Sequence, residues 1–295
     1  MKRLIHCIGG RGGRREGHPT RAGFTLIERL VVISILGLIA GLAVPALKNL
    51  GKSNVRLGGA RQLLDDFGRA RQLAMTERTT VYMVFVPTNY WDPVYWQAGP
   101  YQASDAFTDL ADRQLTGYNF VTLRSVGDQP GQGTTNYLSK WQRLPEGNFI
   151  AQWKFSLSDA VGSPVTNITD HASGRVWSVP GFHRTSLNLI PFPDANSPGA
   201  INLPYVAFNY LGQLTTETLS PNPSQVDEYI PLAQGTVAPA TQPGTKTYMV
   251  GPNGSTDNSP FVQENPPGNS TSASYSLIHI DWLTGRARQE FQQVQ

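Results

Sequence analysis

The sequence predicts an α+β fold: one long N-terminal helix packed on an antiparallel β-sheet head that carries long loops. Three observations lead there. Leu30–Leu47 contains no charged residue and is rich in Leu, Ile, Val and Ala. Leu57, Ala60, Leu63, Leu64, Phe67, Ala70, Leu73 and Ala74 recur at three- and four-residue spacing, which marks one apolar helix face. Beyond Pro87, short β-branched and aromatic runs alternate with turn-rich spacers.

The apolar run is eighteen residues long, interrupted only by Ser34 and Pro45. A helix needs roughly 20 such residues to cross a bilayer, and Phe24 to Ile27 extend the run to that length. Residues 24–50 therefore predict a transmembrane helix. Gly37, Gly41 and Pro45 soften it, because small residues admit close neighbours and proline removes a helix hydrogen bond.

Residues 1–23 form a basic, glycine-rich leader. It holds six of the 24 basic side chains and one of the 21 acidic ones, leaving 18 against 20 after Gly23. The remainder is thus slightly acidic, and nothing in it argues for nucleic acid. A basic flank ahead of an apolar span places residues 1–23 in the cytoplasm and the chain after Leu47 outside. The single cysteine, Cys7, lies in the leader, so no disulfide, thiol nucleophile or thiolate metal site is available after it.

An ordinary secretory signal places its cleavage site after the apolar core. Here Arg21-Ala22-Gly23-Phe24-Thr25-Leu26-Ile27-Glu28 precedes that core. The stretch resembles the class III signal of type IV pilins and pseudopilins. The resemblance implies that a prepilin peptidase cuts between Gly23 and Phe24 and methylates the new amino group of Phe24. Arg29 departs from the usual pattern, in which an apolar residue follows the glutamate.

Glu28 is the informative oddity. A carboxylate in a bilayer costs on the order of 2.5–3.5 kcal/mol, so it is rare there and usually functional. Pairing Glu28 with the Phe24 amino group of a neighbouring subunit would fix axial register in a filament. The alternative is snorkelling to the headgroups from one turn inside.

Residues 51–80 predict an amphipathic continuation of the helix, with Arg61, Asp65 and Arg69 able to pair along its exposed side. The whole helix would span about 80 Å. Apolar all round, then amphipathic, then followed by strands is the lollipop plan of pilin-like proteins. The junction into Val81–Val86 resembles that of H-type minor pseudopilins. Residues 81–295 predict a periplasmic β-rich head. Its further strands are expected at 118–123, 149–155, 175–179, 205–211, 246–250 and 274–281. Leu211-Gly212-Gln213-Leu214 and Leu283-Thr284-Gly285-Arg286 predict turns with glycine at positive φ; similar turns recur in H-type heads. Residues 215–245 and 251–273 are rich in Pro, Thr, Ser, Asn, Gln and Gly and predict exposed, disordered loops. Asn167, Asn253 and Asn269 match a short glycosylation sequon and read as loop polarity.

Little in the head points to chemistry. His171, His183 and His279, the histidines after the leader, stand at no metal-ligand spacing and beside no nucleophile motif. No enzyme is expected. Tyr90, Trp91, Tyr95, Trp96 and Tyr101 form an aromatic cluster that would either stack on a sugar or peptide or pack onto the amphipathic helix. No cofactor is expected, although some major pseudopilins hold calcium and Asp194-Ala-Asn196 offers oxygen ligands.

The resemblance implies a structural subunit of the type II secretion pseudopilus, in the bacterial inner membrane. Its partners would be other pseudopilins, the prepilin peptidase and the inner-membrane platform. A minor type IV pilin for adhesion, twitching or DNA uptake is the second reading. A binding domain or enzyme that uses the segment only as a signal anchor is the third.

Overall fold

The computed structural model describes residues 25–92, 95–98, 108–125, 127–129, 132–156, 164–169, 176–184, 190–197, 199–216, 222–249, 258–271 and 275–291. Within these, side chains are described except at 42–56, 96–98, 164–178, 184 and 291. The chain divides into compact units at Leu50/Gly51.

Helix α1 is Leu26–Glu77. The helix runs through Gly37, Gly41 and Pro45 without a break. It ends where Arg78 turns to φ +50 and the Thr79 N–H reaches back to the Ala74 carbonyl at 3.3 Å. That six-to-one bond is the Schellman stop.

Among the described residues seventeen strands follow. The first nine are β1 (Val81–Phe85), β2 (Trp96–Ala98), β3 (Gly117–Thr122), β4 (Asn136–Tyr137), β5 (Gln142–Arg143), β6 (Asn148–Ile150), β7 (Pro164–Thr169), β8 (Val176–Pro180) and β9 (His183–Arg184). The rest are β10 (Ile190–Pro191), β11 (Ala200–Ile201), β12 (Pro204–Phe208), β13 (Leu214–Thr215), β14 (Glu228–Ala238), β15 (Phe261–Glu264), β16 (Ser276–Ile280) and β17 (Ala287–Phe291).

The first sheet runs β13-β12-β1-β3-β4, with β5 on β3 and β9 on β12. The second runs β15-β14-β16-β17, with β6 on β14. Their pairings are antiparallel. A short β10-β11-β2 sheet and a β7-β8 pair complete the head.

Strand β1 is buried along its whole length because it has a core on each face. Side chains alternate across a strand. Val81, Met83 and Phe85 join the helix residues Ala60, Leu63, Phe67, Ala70 and Ala74 in one core. Tyr82, Val84 and the following Val86 face a second core on the other side. The helix core also takes Ile230, Leu232, Ile278 and Ile280 from the second sheet, so both sheets close over one helix face. Full burial of a side chain such as Leu63 or Phe67 stabilises the fold by about 1.5–3 kcal/mol.

The structure corrects several expectations. Residues 215–245 contain a strand where a disordered loop is expected. Within them β14, eleven residues long, pairs with β16, β6 and β15 and buries Ile230, Leu232 and Ala233. Residues 251–273 likewise contain β15. The run 149–155 stops as a strand at Ile150, and Gln152–Phe155 forms a 3-10 turn that directs Lys154 inward. At 246–250 there is one isolated bridge, Thr241 to Tyr248, among the described residues. Arg61, Asp65 and Arg69 are exposed and form no described ion pair with one another; the Arg69 guanidinium lies 5.5 Å from the Phe120 ring centroid instead.

Candidate functional site

The N-terminal segment is built on Thr25, which caps α1. Its Oγ1 accepts from the Glu28 N–H at 3.3 Å, and its carbonyl accepts from the Arg29 N–H at 3.2 Å. Thr25-Leu-Ile-Glu28 thereby forms the threonine half of a capping box, and Glu28 occupies the first turn. A carboxylate there is favoured by the partial positive charge of the helix N-terminus. Gly23 and Phe24 lie outside the described residues, as does the leader. Glu28 and Arg29 are exposed.

The helix behind them presents apolar side chains on every side. Leu26, Ile27, Leu30, Val31, Ile33 and Leu38 are each about half exposed or more. A helix that is hydrophobic all round requires partners or lipid. Ser34, the polar interruption, donates its hydroxyl to the Leu30 carbonyl at 2.8 Å and so satisfies itself within the helix. Among the described residues no helix is long and apolar enough to cross a membrane. The described side chains of the run end at residue 41, short of Leu47.

In the head, the aromatic cluster is core rather than surface. Tyr90, Trp91 and Tyr95 are at most 5 % exposed and belong to the second core, with Phe192 and Tyr205. They pack on the sheet face opposite the helix, not onto the helix itself. The Trp96 side chain and Tyr101 lie outside what is described. His171 and Asn253 are also outside the described residues. Asn269 is buried and exchanges hydrogen bonds with the Gln234 backbone, at 2.5 and 3.0 Å.

Asp194 is exposed, and its carboxylate accepts from the Asn196 N–H at 2.9 Å and the Ser197 hydroxyl at 3.1 Å. Its oxygens thus serve their own turn. Among the described residues no group of three or more His, Cys, Asp or Glu is placed to hold a metal ion.

Three polar arrangements escaped the sequence reading. Lys154 is fully buried, pairs with Glu228 and donates to the Pro180 carbonyl at 2.8 Å. Burial pulls its ammonium below the usual lysine range, while Glu228 opposes that shift. Burial likewise lowers His183. His279 faces Asp227 at 2.9 Å and Glu290 at 2.8 Å and stacks on Tyr229. Arg71 Nε donates to the Gly212 carbonyl at 3.2 Å and the Thr284 carbonyl at 2.8 Å, joining the helix to both glycine turns. Only tertiary contact unites these residues, which are separated by up to 213 positions. The glycine turns were the one local signal.

Comparison with known proteins adds one match. Residues 19–44 match the prokaryotic N-terminal methylation motif. No curated protein and no solved structure significantly matches the chain. The matched stretch takes in Gly23, Phe24, the Thr25 cap, Glu28 and most of the apolar run, and is a type IV pilin-like prepilin signal that suggests a membrane-anchored N-terminus.

Proposed function

We propose that the chain is a minor, H-type pseudopilin of a type II secretion machine. It is a structural subunit and not an enzyme. Prepilin peptidase removes residues 1–23 and methylates Phe24. Residues 24–50 anchor the precursor in the inner membrane, with the head in the periplasm. The processed subunit then joins a short pseudopilus with other pseudopilins above the inner-membrane platform and supports export of folded proteins.

The observation that carries this reading is a lone carboxylate, Glu28, in the first turn of a helix that is apolar on all sides, inside a methylation motif that begins before Gly23. The head offers support in the helix-to-β1 junction and the glycine turns bound to Arg71, features that resemble H-type heads.

The test is the N-terminal residue and mass of the protein from its native membrane, together with a gene deletion. N-methyl-Phe24 with lost secretion and intact motility supports the proposal. The same terminus with lost twitching, adhesion or DNA uptake and intact secretion makes the chain a minor type IV pilin. An uncut Met1 terminus discards both filament readings in favour of an anchored domain.

A further inference from the structure

Glu28 and Arg29 are the two charged residues between Thr25 and Leu47, and they are adjacent. Both are exposed, and neither forms an ion pair among the described residues. Consecutive helix residues point about 100° apart, so these two side chains do not face each other. The line midway between them, continued along α1, runs over Val32, Leu36 and Ile39, each within about 30° of it. These three are 47 %, 59 % and 56 % exposed. From Arg29 they follow at three, four and three residues, the spacing of a coiled-coil seam. We propose that two copies of this chain pair in parallel along this seam, each Glu28 meeting the Arg29 of the other copy.

Self-complementary charge selects the partner. Two parallel helices in register are related by a twofold axis between them, so a residue on one flank of the seam lies opposite the residue on the other flank of its partner. Glu28 and Arg29 are those flanking residues. The symmetry therefore brings carboxylate to guanidinium twice, at an axial offset of about 1.5 Å. In coiled-coil terms Arg29 is a knob at an a position, and Glu28 is the preceding g residue that borders the facing hole. An apolar partner helix would leave both charges uncompensated in an apolar contact. A lipid phosphate takes Arg29 and repels Glu28. Residues 30–47 contain no other carboxylate for Arg29 to use.

Parallel pairing requires both copies to enter the membrane in the same direction, and so rests on the anchored reading of residues 24–50. It needs neither cleavage at Gly23 nor a filament. Before cleavage Phe24 has no free amino group, and Arg29 is the cation at hand for Glu28. Arg29, the departure from the usual signal, thereby acquires a role in the precursor.

The test is cysteine crosslinking of the uncut precursor, in membranes of cells without prepilin peptidase and on a Cys7→Ser background. Val32→Cys, Leu36→Cys and Ile39→Cys should give disulfide-linked dimers under mild oxidation. Leu30→Cys and Ser34→Cys, on the far side of the helix, should give about tenfold less. Glu28→Arg alone and Arg29→Glu alone place like charges together and should each lower crosslinking through Leu36→Cys about tenfold. The double exchange, Glu28→Arg with Arg29→Glu, keeps the composition of the helix and should restore it. Equal crosslinking around the helix would show chance collision and overturn the proposal. So would single exchanges without effect, or a loss that the double exchange does not rescue. Dimers that form only after processing would assign Glu28 to the Phe24 amino group and overturn it as well. An uncut Met1 terminus in the native membrane discards the filament reading but leaves every one of these outcomes intact. A precursor washed off the membrane by alkaline carbonate would sink the anchored reading and this pairing with it.

Discussion

A β-carbon placed on Gly285 would lie 2.0 Å from the carbonyl oxygen of Gly212. The turn after β12 and the turn after β16 are therefore in backbone contact, and Arg71 bonds to both. Asp281 fixes the second turn by accepting from the Thr284 hydroxyl and N–H, each at 2.7 Å, which holds its carboxyl below the usual range.

Gly285→Ala meets that carbonyl and a φ of +61 together. It should destabilise the head by about 3 kcal/mol. Gly127→Ala, at φ +103 with open space around it, should cost only about 1 kcal/mol. Thermal or urea unfolding of the two variants checks the contrast; equal losses would show that the turns are not locked together.

Lys154 and Glu228 act as a unit. Lys154→Met leaves the Glu228 carboxylate buried without its partner and should cost about 3–5 kcal/mol. Replacing Glu228 with Leu in the same chain should restore most of that loss, because the uncompensated charge is gone. A double-mutant cycle measures the coupling; additive losses would dissolve the pair.

Asp66 accepts from the Tyr118 hydroxyl at 2.5 Å, yet burial raises its carboxyl above the ordinary 3.8 despite that bond and nearby Arg69. Between the unfolded and folded values the folded chain holds the proton more tightly, so stability falls as pH rises through that window. Asp66→Asn keeps an oxygen for Tyr118 and removes the charge. It should gain about 1 kcal/mol or less at pH 7, after solvent screening, and the gain should vanish below the carboxylate range. A melting series against pH reads it directly.

Glu28→Ala should still be processed at Gly23 but should enter filaments poorly, as read by sheared-filament immunoblots. Normal entry would remove the register role and leave Glu28 as a first-turn carboxylate favoured by the helix N-terminus. Gly23→Glu should leave an uncut precursor, visible as the heavier mass.

The helix was legible because its signals are local. Charge is absent from Leu30 to Leu47, and Ala60, Leu63, Phe67, Ala70 and Ala74 then mark a face with helical spacing. Strands β1, β3, β12 and β16 were legible for the same reason. Strand β14 was not, because Pro231, Gln234 and Gly235 make its composition resemble a loop. The structure uses each of them. Pro231 accepts from the Ala151 N–H at 3.0 Å, Gln234 bonds Asn269, and Gly235 lets the Gln263 carbonyl approach to where a β-carbon would stand. The aromatics at Tyr90 and Trp91 read first as packing onto the helix, and the face they do cover was not legible because nothing local says which side of the sheet they lie on.

Strand β14 also sets a limit on how this chain can be trimmed. It holds β16 along Glu228–Leu232, β6 along Leu232–Gln234 and β15 along Gly235–Ala238. Excising 215–245 to shorten an apparent linker would unzip the second sheet from its middle. The three abandoned strands would then offer bare backbone to any neighbouring chain, and the shortened protein would precipitate rather than fold.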